Sequence, residues 1–167
     1  MKLTFLGATQ TVTGSKFLLE INQKKILVDC GMYQGIKHLR LRNRAEFPID
    51  IKSLDAVILT HAHIDHSGFL PVLFKNGYKG PVYTTSATKD LCEVLLSDAG
   101  YLQEEEARYA NKRGYSKHHP ALPLYTEQDG RNTLELFQTY EQHEEFKIGD
   151  NIQIKFTPAG HILGSCC

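Results

Sequence analysis

A largely apolar run rich in β-branched residues, Leu54–Thr60 (LDAVILT), leads without a break into His61-Ala62-His63-Ile64-Asp65-His66. A continuous run of this kind is the pattern of a strand covered on both faces. It calls for a layered domain in which other elements close over each side of a sheet. It also carries four strong metal-ligating side chains, within six residues, to the exit of that strand. Histidines clustered at the end of a buried strand are hard to satisfy by packing alone.

The remaining segments supply the layers. Leu3–Leu6 reads as a first strand broken by Gly7, and the Thr- and Gly-rich stretch through Gly14-Ser15 as a loop. Lys16–Ile21 and Lys25–Val28 flank the polar pair Asn22-Gln23 as a hairpin, which ends at Asp29-Cys30-Gly31. Helical spacing over Ser67–Lys75 is stopped by Gly77, and Val82–Thr84 forms a strand after Gly80-Pro81. Thr88–Leu96 and Leu102–Lys112 are predicted as helices, the second with a charged, wet face. Gly114–Pro123 is a basic loop. Thr126 caps a helix reaching about Phe137, with Asp129 at the capping-box distance and Gly130 as its weak point. Glu145–Ile148 and Ile152–Thr157 turn at Gly149-Asp150 and deliver Pro158–His161. No repeat or linker interrupts this α/β order.

Composition narrows the setting. With 167 residues, 41% hydrophobic and 23% charged, the chain has enough material for one domain with a real core. No apolar run approaches the roughly 18 residues of a membrane span, and MKLTFLGATQ reads as a strand, not a signal peptide. The 19 basic and 19 acidic residues cancel, so no global field draws the chain to nucleic acid or membrane. Cys30, Cys92, Cys166 and Cys167 lack CxxC or disulfide spacing, which points to a reducing, cytoplasmic setting. Cys30 and Cys92 lie in apolar sequence and read as small buried hydrophobes.

The chemistry concentrates at residues 61–66. A strand end fixes the backbone, so a tight loop can aim His61 and His63 at one ion while Asp65 and His66 face a second. Neutral imidazoles suit Zn²⁺, and a carboxylate admits a harder ion such as Mn²⁺ at the second position. Other candidates are weaker. Gly14-Ser15-Lys16 lacks the ending of a nucleotide-binding phosphate loop. Lys37, Arg40, Arg42 and Arg44 either contact a nucleic-acid backbone or form a solvated basic segment. His118-His119 has no carboxylate partner in sequence, and Glu135, Glu141, Glu144 and Glu145 read as a wet acidic face.

THAHIDHSG at 60–68 resembles the HxHxDH signature of the metallo-β-lactamase superfamily. VDCGMYQG at 28–35, THAHIDHSGFLP at 60–71, GPVYTTSAT at 80–88, PLYTEQD at 123–129 and AGHILGS at 159–165 narrow the likeness. In that order they resemble the β-CASP branch of RNA-processing nucleases, the group of the pre-mRNA 3′-end cleavage endonuclease and its prokaryotic relatives. The resemblance implies an αββα sandwich with mixed sheets flanked by helices. It implies two divalent metal ions: His61, His63 and His161 on the first, Asp65 and His66 on the second, with Asp65 also orienting the nucleophile. Asp29 becomes a carboxylate behind the metal loop, against its plainer reading as a turn residue before Gly. The implied reaction is hydrolysis of RNA phosphodiesters by a metal-bound hydroxide; the sequence leaves open whether the protein pairs as a homodimer.

The same resemblance places a bridging Asp, a further second-site His, the β-CASP cap domain and the leaving-group acid after Cys167. Residues 1–167 are therefore expected to be the N-terminal portion of the metallo-β-lactamase domain, with an incomplete second site and little or no nuclease activity alone. Two other functions remain open. One is a superfamily hydrolase of thioesters or lactones. The other is a non-catalytic RNA-binding or assembly module, against which the intact His61–His66 signature counts.

Overall fold

In the computed structural model, which describes Met1–Cys167, six strands form one mixed sheet. β1 (Lys2–Phe5), β2 (Phe17–Ile21) and β3 (Lys24–Val28) pair antiparallel; β4 (Ala56–Ile58), β5 (Val82–Thr84) and β6 (Phe137–Thr139) continue it in parallel. Asn22 and Gln23 both take positive φ, 49° and 63°. A two-residue hairpin turn of this hand matches the right-handed twist of its strands.

Leu54–Thr60 contributes only three residues to the ladder, although Leu54 and Leu59 on either side are also buried. Successive strand residues face opposite layers, as the unbroken apolar run requires. Leu27 and Val57 join Leu73, Leu96 and Tyr125 beneath the helices. Ile26 and Ala56 turn the other way, onto Phe146, Ile148 and Phe156. That second layer is the antiparallel pair β7 (Glu145–Lys147) and β8 (Gln153–Lys155). The result is a mixed sheet with helices on one face and a small second sheet on the other.

Three helix expectations change. The segment foreseen as Ser67–Lys75 is divided into α2 (Ile64–Ser67) and α3 (Leu70–Lys75). Pro71 lies in the first turn of α3 and has no N–H for the Ser67 carbonyl, which favours a break between the two helices over one continuous helix. The two segments foreseen after β5 are a single helix, α4 (Ser86–Arg113). Gly100 does not end it. A Cβ there would lie 2.4 Å from the Thr126 carbonyl oxygen, so this glycine permits a close crossing with α5 (Glu127–Thr133). The α5 capping box forms as foreseen, but after a 3-10 turn the chain enters β6, leaving Phe137 buried in the sheet. The basic segment at 37–44 coils into α1 (Lys37–Leu41) and a 3-10 turn. No helix is long and apolar enough to cross a membrane.

Candidate metal centre

Three separate stretches of chain meet where β3 and β4 end. Cys30 N–H donates to the His66 carbonyl (2.7 Å), Met32 N–H to that of Ile64 (3.0 Å) and Ser15 N–H to that of Asp65 (2.8 Å). The approach is so close that a Cβ on Gly31 would sit 1.6 Å from the Asp65 carbonyl oxygen. Backbone bonds thus fix the histidine loop from behind.

Asp29 is the hub beneath it. Its backbone takes φ 58°, a left-handed conformation that Asp tolerates better than most residues. Its buried carboxylate accepts from Thr60 N–H and Thr60 Oγ1 (both 2.9 Å), His66 Nδ1 (2.7 Å) and Ser15 Oγ (3.3 Å). These bonds select the ring tautomers. With its hydroxyl proton given to Asp29, Thr60 Oγ1 accepts from His61 Nδ1 at 2.9 Å. His61 and His66 each therefore keep Nε2 as the free lone pair.

His61, His63 and His161 converge, and their ligand atoms all lie within 4.8 Å of one another. His161 Nε2 and His63 Nδ1 are 3.1 Å apart, a spacing open to two nitrogens each about 2.0–2.1 Å from a shared zinc ion. Burial, followed by the neighbouring imidazole of His66, lowers His61 to about 4, so its ring is neutral near pH 7 and available as a ligand. Asp65 Oδ2 lies 3.7 Å from His66 Nε2, and the rings of His61 and His66 are 4.0 Å apart. Two donor pockets thus adjoin: three imidazoles, and a carboxylate–imidazole pair. Burial alone disfavours a charged His66, but Asp29, with help from Asp65, holds it above its ordinary value.

His161 arrives from a turn anchored at both ends. Ser165 Oγ accepts from His161 N–H (3.1 Å) and Ile162 N–H (3.2 Å), and Cys166 N–H donates to Thr60 O (3.0 Å). Gly164, at φ 77°, packs so closely that a Cβ would stand 2.5 Å from Thr88 N, while its carbonyl accepts from Thr85 Oγ1 at 2.7 Å. The turn is thereby seated on the N-terminus of α4.

The donor set fits a divalent metal: three imidazole nitrogens, one on a buried side chain and two on accessible ones, the number that leaves a fourth tetrahedral position for another ligand. His118 and His119 lie in the exposed 114–123 loop, outside this cluster. Cys30, Cys92 and Cys166 are buried and pushed up to about 12 by desolvation, which leaves them unionised near neutral pH. The roles of Thr60, Ser15, Ser165 and Lys16 at this site are not evident in the sequence, although Ser15 and Lys16 stand in the rejected phosphate-loop stretch and Ser165 in AGHILGS. The position of Thr60, directly between the strand and His61, was an available signal. Lys16 was not signalled: its buried ammonium donates to the Gly31 carbonyl and lies 4.7 Å from the Phe69 ring.

The chain resembles known proteins to different depths. The chain is 39% identical over 165 residues to ribonuclease TTHA0252 of Thermus thermophilus, covering 99% of this chain and 34% of that protein. It is 38% identical over 168 residues to transcription termination factor FttA of Methanosarcina mazei, covering 99% and 24%. Integrator complex subunit 11 of Danio rerio is 32% identical over 170 residues, with 99% and 26% covered. The chain thus spans about a quarter to a third of these relatives. Among solved structures, the subclass B3 metallo-beta-lactamase BJP-1 of Bradyrhizobium japonicum superposes with a TM-score of 0.56 at 18% identity, covering 98% of this chain and 52% of that one. A family model for the metallo-beta-lactamase superfamily matches residues 12–140, and the chain belongs to that superfamily.

Proposed function

We propose that residues 1–167 are the metal-holding portion of a β-CASP RNA-processing nuclease that hydrolyses phosphodiester bonds. The observation that carries this reading is the adjoining of the His61/His63/His161 cluster and the Asp65–His66 pair. Its context is sequence likeness to a ribonuclease and to a transcription termination factor across 99% of the chain.

In this reading His61, His63 and His161 hold a first divalent ion, zinc by donor chemistry, and Asp65 with His66 contributes to a second, where manganese is also compatible. Such ions, when bound, activate water near neutral pH and neutralise charge at a phosphoryl group. The chain's own residues do the positioning. Asp29 and Thr60 fix the rings of His61 and His66, Gly31 and Ser15 brace the loop, and Ser165 sets the turn of His161. Asp65, the partly exposed carboxylate beside His66, would in this reading orient the attacking water. The remaining half of the domain and the cap belong, in this reading, to sequence outside these residues. The chain alone is then a metal-binding but catalytically poor unit.

The test is to load zinc into the 167-residue chain and into a longer protein containing it, and to offer each a labelled single-stranded RNA, a lactone and a thioester. The expected result is metal uptake by both and RNA cleavage only by the longer protein, lost in His63→Ala. Lactone or thioester hydrolysis with RNA left intact would overturn the proposal. So would robust RNA cleavage by the 167 residues alone, for the part that concerns an incomplete site.

A further inference from the structure

Two basic segments far apart in sequence carry no acidic residue: Lys37–Arg44 (KHLRLRNR) and Lys112–His119 (KRGYSKHH). The fold brings them together. Arg44 Nη2 donates to the Leu122 carbonyl at 2.7 Å, and Asn111 bonds Ala121 through both its side-chain atoms (2.7 and 3.0 Å), pinning the loop after α4 back onto that helix. Lys37, Arg40, Arg42, Arg44, Lys112, Arg113 and Lys117 are all exposed, and none takes part in any ion pair of the molecule. In a chain of zero net charge this is segregation of charge, not an excess of it.

Between the two segments runs a groove of about 640 Å³, within the size range of small-ligand sites. Met32 and Ile64 line it, and Ile64 stands between His63 and Asp65 in the metal loop. Arg40, Arg44, Tyr115 and Leu122 line it too. The α4 wall carries Asp98 and Glu106, which would repel phosphate and confine it to the arginine side. Next to the basic loop, Tyr109 and Tyr115 are exposed with ring centroids 6.1 Å apart, and Arg113 lies 5.4 Å over Tyr109. Unpaired cations beside open aromatic faces are the equipment for holding a single strand, by phosphate contact and base stacking.

We infer that this groove is a track for the backbone of single-stranded RNA, running from the metal loop to the Lys112–His119 segment. The inference rests on the nuclease reading and adds the path of the substrate across this domain. It is tested by fluorescence anisotropy of the zinc-loaded protein with a labelled oligouridine of about 12 nucleotides, from about 50 to about 200 mM salt. Arg40→Gln/Lys117→Gln leaves the Arg44–Leu122 bond in place. It should weaken binding about tenfold and lower the salt slope by about 1.4, at about 0.7 per lost contact to a single strand. Lys147→Gln/Lys155→Gln, on the second sheet, should change neither. Unaltered affinity and slope in the groove variant, with the parent protein binding RNA, would overturn the track alone. Equal losses in both variants would do the same, by reducing the effect to general charge. No binding by the parent at any salt would also overturn the track, whereas the nuclease reading falls only if the longer protein leaves RNA intact.

Discussion

Asp29 receives hydrogen bonds from Thr60, His66 and Ser15, and through Thr60 it also governs His61. Replacing it by Asn keeps the size and the tolerance of left-handed backbone, but turns an amide N–H₂ toward donors. If its role were only that of a turn residue, Asp29→Asn would be silent. We expect instead a loss of about 10–100-fold in zinc affinity, measured by chelator competition, because partners of this kind orient ligand imidazoles. His61 gives a pH prediction for the metal-free protein. Its folded value of about 4 lies below the ordinary histidine value of 6.5, so the unfolded chain binds more protons between those limits. Its contribution to stability therefore rises with pH across that window and is lost on acidification. His66, held above its ordinary value, contributes in the opposite sense as pH increases past the unfolded value. The urea midpoint of the parent minus that of His61→Gln, in chelator, should increase from about pH 4 to about pH 6.5.

At the scale of elements, α4 and α5 cross through two glycines. A Cβ on Gly130 would lie 2.5 Å from the Leu96 carbonyl oxygen. Alanine is the better helix former by about 1 kcal/mol, yet Gly130→Ala should destabilise, read as a lower urea midpoint with the slope unchanged. In sequence Gly130 reads as a weak point of its helix, and the stretch holding Gly100 falls in the gap between two expected helices. Both are contact points, and only the partner helix reveals this. Elements with a strong local signal were legible: the Asn22-Gln23 hairpin, the Thr126–Asp129 capping box, Val82–Thr84, and the strand into His61. β6 was not, because three residues after a 3-10 turn carry no period, and Phe137 belongs to the sheet only by long-range pairing. At the site, His61, His63 and His66 were legible from residue type and spacing, while His161 was expected only through the family resemblance. Thr60 had a signal in its place directly before His61, whereas Ser165 and Lys16 act through geometry that no single-chain pattern encodes.

For the molecule as a whole, the metal should act as a staple between the two ends of the described chain. Zinc at 100 times its dissociation constant should add about 2.7 kcal/mol to the unfolding free energy, with slower amide exchange at 158–166. Chelation or His161→Ala should abolish both effects, while His118→Ala/His119→Ala should leave them intact. The staple joins His63 to a partner 98 residues later. Closing a flexible loop of that size costs about 4 kcal/mol in chain entropy, so the sheet and α4 must bring the ends together before three imidazoles can share one ion. On a ribosome, which adds about 5–20 residues per second, about 5–20 seconds separate the synthesis of these two ligands. Throughout that interval the nascent chain offers His61 and His63 without their third imidazole. A metal shared by all three imidazoles can accordingly be acquired only late in biogenesis, once His161 has been made and the fold has brought it to His61 and His63.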